Sequence, residues 1–191
     1  VNDNDVHHLG WAPISSPQTS GVPFSVTVSA QDIDSQTISN WTNSAILSAA
    51  GNCGPVSMMP ANTGPFANGR WSGNVTVYTA CDNVRLTSGD GQGHTGQSPN
   101  FTVQAGPLHH FAWSRVASNQ CLGVPIEVTL TAQDLIGNTA IHFTDSVGLS
   151  AATDAGRTTN RILGDLTHND SFNQDFTVGY SFTPNANITV T

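Results

Sequence analysis

The side chains able to do chemistry are three cysteines, seven histidines and thirteen acidic residues, of which only Glu127 is a glutamate. Cys53 and Cys81 lie 28 positions apart and flank a predicted strand at Trp71–Thr79. In an oxidising compartment they can pair, closing a loop worth roughly 3 kcal/mol; two buried thiols are the alternative. Cys121 has no cysteine at the matching place in the other half of the chain, where Thr19 stands. It is therefore expected as a free thiol or a cross-link to another chain, and Cys–His spacing does not fit a zinc cluster. The histidines include two adjacent pairs, His7–His8 and His109–His110. Neighbours on a strand point to opposite faces, so neither pair is expected to chelate a metal with both rings. Calcium takes oxygen ligands. Its candidates are Asp3 and Asp5 ahead of the first repeat, Asp32 and Asp34 after a strand, and Asp90 in a glycine-rich loop. The bland reading of such residues is that they bond local backbone in turns. No Gly-x-Ser-x-Gly elbow and no glycine-rich phosphate loop opening a helix is present, and a non-catalytic protein is expected, with no cofactor unless calcium.

What must position these groups is β-structure. Thr, Ser, Val, Asn and Gly dominate the 191 residues, lysine is absent, and only 9% of residues are charged, with five arginines and a net charge of −8. Helix formers are scarce. Without a basic patch, nucleic acid and anionic membrane surfaces are poor partners. No apolar run reaches the roughly 18 residues of a membrane span. The 37% hydrophobic content is arranged with a period, which argues against disorder.

The chain contains an internal repeat. Residues 7–50 align with 109–152 without a gap, with about 20 of 44 positions identical. Phe24, Val26, Val28 and Ala30 alternate with polar residues, as do Ile126, Val128, Leu130 and Ala132. This is the period-two pattern of a half-buried strand. Further strands are expected around Ala45–Leu47 and its counterpart Val147–Leu149, then at Trp71–Thr79, Val84–Thr87 and Phe101–Val103, with turns at Ser88–Gly96 and Gly137–Asn138. A repeat of about 100 residues built of short strands suits an immunoglobulin-like sandwich. The expected fold is all-β, two tandem sandwiches: a linker at 1–5, one domain at 6–103, a linker at 104–107 and a second domain at 108–191. The second is shortened or divergent, with no evident counterpart of Gly69–Gly73, and ends in a β-like segment at 179–191. It is cut from something longer, rearranged, or completed by a strand from a neighbour. For that last case Cys121, Tyr180, Phe182, Ile188 and Val190 are the candidate intermolecular contacts. The chain opens at Val1 with no signal peptide and reads as a processed product or a piece of a longer protein.

The segments Gly21–Asp32, His109–Ser114 and Gly89–Gly96 resemble a tandem immunoglobulin-like repeat of large secreted and surface-anchored bacterial proteins. The resemblance implies non-catalytic modules that space, display or adhere, on the cell surface or secreted. A fibre subunit assembling through strand complementation is the sharper form of this expectation. The alternative is a carbohydrate-binding or adhesive module with a polysaccharide partner. Its stacking platform would draw on Phe66, Tyr78 and Tyr180, because Trp11, Trp41, Trp71 and Trp113 all read as core. Five Asn-x-Ser/Thr sequons begin at Asn40, Asn74, Asn100, Asn169 and Asn187, a pattern of glycosylation acceptors of which several arise by chance in a Thr- and Asn-rich chain.

Overall fold

The computed structural model describes residues 5–116, 128–145, 147 and 187–190. These contain strands, turns and loops and no helix. The chain divides into two compact units, Val1–Gly106 and Pro107–Thr191.

In the first unit, one sheet holds four strands in the order β1 (His8–Trp11), β3 (Phe24–Gln31), β7 (Arg70–Val77) and β6 (Met58–Met59). The other runs β2 (Gln18–Thr19), β10 (Phe101–Gln104), β8 (Cys81–Gly89), β4 (Ile46–Gly51) and β5 (Gly54–Pro55), with β9 (Thr95–Gln97) also paired to β8. Alternation along the strands aims one row of side chains from each sheet inward. Val26, Val75 and Val77 of the first sheet meet Leu47, Ala49, Val84, Leu86, Phe101 and Val103 of the second in one buried cluster. Leu9, Val28 and Ala30 continue the core towards Ala45 and Phe66.

Strand β8 shows how a local irregularity keeps that row facing inward. Phe101 stands opposite Val84 and Val103 opposite Cys81, so three steps on β8 face two on β10. The extra residue is accommodated at Asp82–Asn83, both exposed, with Asn83 at φ 53°. Asparagine tolerates this left-handed conformation better than most residues. The bulge lets Cys81, Val84, Leu86 and Ser88 all be buried although simple alternation would not place them on one face. Close approach closes one end of the unit. A Cβ on Gly96 would lie 1.6 Å from the Leu9 carbonyl oxygen, so only glycine lets β9 lie against β1 there. Beside it the Trp11 indole N–H donates to the hydroxyl of buried Ser88 at 3.0 Å.

The second unit repeats the opening of the first in register. Strand β11 (His110–Trp113) pairs antiparallel with β12 (Val128–Gln133). His110 stands opposite Gln133 and Trp113 opposite Leu130, as His8 does Gln31 and Trp11 does Val28. The turn after the strand is repeated as well. The Asp32 carboxylate accepts the N–H groups of Asp34 and Gln36 at 3.0 and 2.7 Å; that of Asp134 accepts those of Ile136 and Asn138 at 3.0 and 2.8 Å.

Strand β13 (Asn187–Val190) lies within the β-like segment expected at 179–191. It pairs antiparallel with β12, Asn187 opposite Thr131 and Val190 opposite Val128. In the first unit those partners are Arg70 opposite Ser29 and Gly73 opposite Val26. The second unit therefore does have a counterpart of Arg70–Gly73. It lies outside the gapless alignment because the offset has grown from 102 to 117 residues. The backbone at Ile188 and Val190, expected to bond a neighbouring molecule, is bonded to its own chain.

Candidate functional site

Each histidine pair stands where a unit's first strand begins. His7 donates its N–H to the Gln31 carbonyl, and His109 to that of Gln133, both at 2.8 Å. The rings of each pair are nearly perpendicular, at 83° and 81°. In both pairs the two Nδ1 atoms lie 3.3 Å apart. The expectation that adjacent rings diverge is thus overturned. The strands start at His8 and His110, so the first ring of each pair belongs to the lead-in residue and is not bound to the strand's alternation. His8 is half-buried; His7, His109 and His110 are exposed.

The glycine-rich stretch forms the turn between β8 and β9, with Gly91 and Gly93 at positive φ. Asp90 organises it. Its Oδ1 accepts the N–H groups of Gln92 and His94 at 2.8 and 3.2 Å, and its Oδ2 meets His94 Nδ1 at 2.5 Å. The Asp90 side chain is only 2% exposed. Burial pushes its carboxyl up, but the His94 ring and the two N–H donors outweigh this and hold it below its ordinary value of 3.8.

Among the described residues the carboxylates proposed for calcium form no cluster of three. Asp32 caps its turn, Asp34 and Asp5 are exposed, Asp90 is engaged with His94, and Asp3 lies outside the described residues. Among the described residues no three His, Cys, Asp or Glu side chains form a metal-holding group.

Cys53 and Cys81 are joined in a disulfide, with Cα atoms 6.0 Å apart. It ties the β4–β5 turn to the start of β8. Cys121, Tyr180 and Phe182 lie outside the described residues, as do the side chains of Ile188 and Val190.

The aromatic platform is corrected at two places. Phe66 is 2% exposed, its ring edge-on to Trp41 at 4.6 Å between centroids, so it is core and offers no sugar a face. Conversely, Trp113 is 53% exposed, whereas Trp11, Trp41 and Trp71 pack against the core. The Trp11 indole N–H is engaged by Ser88. Tyr78 follows β7 and is 38% exposed.

No motif in the sequence announces a shallow polar groove of about 530 Å³ on the first unit. Its lining includes Asn52, Asn83, Arg85, Thr87, Gln97 and Asn100. The Arg85 guanidinium donates from Nε to the Asn100 side-chain oxygen and from Nη1 to Gln97 Oε1 at 3.4 Å. Amides, a hydroxyl and one held cation can bond polyols or carboxylates. Its signal in the sequence is the outward row of the strand at Val84–Thr87, where Arg85 and Thr87 alternate with buried residues.

No family model matches the chain, and no curated protein matches it. A solved structure titled "Structure of the S-layer protein SbsC, domains 5-6" is similar at a TM-score of 0.33 and 14% identity over 81% of each chain.

Proposed function

We propose that the chain is a non-catalytic extracellular structural module, two tandem immunoglobulin-like units that extend or display what they are joined to. The observation that carries this reading is the parallel pairing of the first unit's second strand with its last. Strand β2 pairs parallel with β10, Gln18 opposite Val103 and Thr19 opposite Gln104. Ser20 N–H donates to the Gln104 carbonyl at 2.8 Å, Thr102 N–H to Ser16 Oγ at 3.0 Å, and Gly106 N–H to Ser20 Oγ at 3.2 Å. Tension applied along the chain pulls two parallel strands in opposite directions. Bonds perpendicular to that pull are loaded together rather than one at a time. The disulfide adds a covalent limit on extension and suits an oxidising compartment, which supports a secreted or surface location. In single-molecule pulling of the first unit between residues 5 and 106, Ser20→Pro removes one of these donors and one acceptor. It should lower the peak unfolding force clearly; an unchanged force would reject this role for the β2–β10 contact.

A second reading is favoured by the groove around Arg85: adhesion to polysaccharide. Retention on immobilised glycans that is lost in Arg85→Ala but kept in Tyr78→Ala would place binding in the groove. Absence of retention on any tested polysaccharide would reject this reading. Residues 187–190 pair with β12, so a neighbour's strand at that edge would have to displace them; filaments or defined oligomers by light scattering and negative stain would favour a fibre-forming subunit, and a monomer would favour a spacer.

A further inference from the structure

We propose that each adjacent histidine pair, His7–His8 and His109–His110, is a two-nitrogen site for a borderline divalent transition ion of the Zn²⁺, Ni²⁺ or Cu²⁺ class. The ring nitrogens of both pairs converge to the same 3.3 Å separation, although one pair leads into the first unit and the other into the second. An ion about 2.0–2.1 Å from each imidazole nitrogen would subtend an angle of roughly 104–111° at that spacing, close to tetrahedral. Imidazole nitrogen is the donor such ions prefer, while Ca²⁺ and Mg²⁺ prefer oxygen.

The surroundings suit such a site. The backbone under each pair is fixed by the His7–Gln31 or His109–Gln133 hydrogen bond and by the strand pairing that begins at His8 or His110. Binding through Nδ1 leaves each Nε2–H directed away from the ion. Three of the four rings are exposed, so an ion can enter without opening the fold. Two protein nitrogens leave further coordination positions for water or for donors of another molecule. The site is therefore open, and its ligand exchange should be fast. The competing account is a ring-to-ring N–H···N bond between two neutral imidazoles, which would make each pair purely structural.

The test is isothermal titration of the untagged, disulfide-intact chain with zinc, nickel or copper chloride in a non-coordinating buffer. Two ions per chain are expected. The His7→Ala/His8→Ala variant should keep one, and a variant with all four histidines replaced should keep none at the same concentrations. His8→Ala and His110→Ala should each weaken their own site at least tenfold, and the His110→Ala melting curve should be unchanged because that residue is exposed. Copper bound to the intact chain should show two nitrogen donors per ion by electron paramagnetic resonance. No uptake, or uptake that persists in the four-histidine variant, would overturn the proposal. A single ion lost on removal of either pair alone would also overturn it, since the pairs would then not be separate sites.

Discussion

Asp90 and Cys81 show how single residues fasten the first unit. The Asp90 carboxyl is held below its ordinary value, so its ionised form is bound more tightly in the folded chain than in the unfolded one. Its contribution is present above about pH 3.8 and is lost as pH falls through the lower folded value. Asp90→Asn keeps a side-chain oxygen for the Gln92 and His94 N–H groups but cannot ionise. The melting temperature of the wild type should therefore fall more steeply between about pH 5 and pH 3 than that of the variant, as followed by circular dichroism. Asp90→Ala also leaves the two N–H donors without their acceptor and should cost about 1–2 kcal/mol at neutral pH by urea denaturation. Replacing Cys53 and Cys81 with serine removes a link across 28 residues and should destabilise the first unit by about 3 kcal/mol. Both cysteines and the glycine-rich turn could be marked from sequence. The approach of the two rings in each histidine pair is not legible from strand alternation, because His7 and His109 precede the strands that begin at His8 and His110.

The strands were the most legible level of the sequence. Burial along β3 and β12 follows the alternation of Val26, Val28 and Ala30 and of Val128, Leu130 and Ala132. The repeat at an offset of 102 puts the two openings in the same register, as the pairings show. Two features escaped for physical reasons. Pairing of β13 with β12 depends on a long-range register that a gapless comparison cannot follow. The bulge at Asp82–Asn83 breaks the period on which strand reading rests. The core is intolerant in a way that can be checked. Leu86 is fully buried in β8, and Leu86→Ala should cost about 2–5 kcal/mol by denaturant titration. Gly96→Ala should be as damaging despite adding only a methyl group, because the obstacle is the Leu9 backbone carbonyl and not a movable side chain. A Gly96→Ala variant as stable as the wild type would mean that β9 does not lie against β1 as described.

For the molecule as a whole, the role proposed for this acidic, lysine-free chain built of sheets turns on how force enters and leaves it. On that proposal the parallel β2–β10 contact should make the first unit yield abruptly, and the Cys53–Cys81 link should limit its extension afterwards. The most direct measurement is single-molecule pulling of the 191-residue chain by its ends, first oxidised and then in reductant. The account predicts a distinct unfolding peak for the first unit in both conditions. On reduction its extension should lengthen by roughly 90 Å, the reach of the 28-residue separation at about 3.3–3.6 Å per residue less the span of the closed link. Smooth extension at low force, with no peak assignable to the first unit, would contradict a force-resisting module.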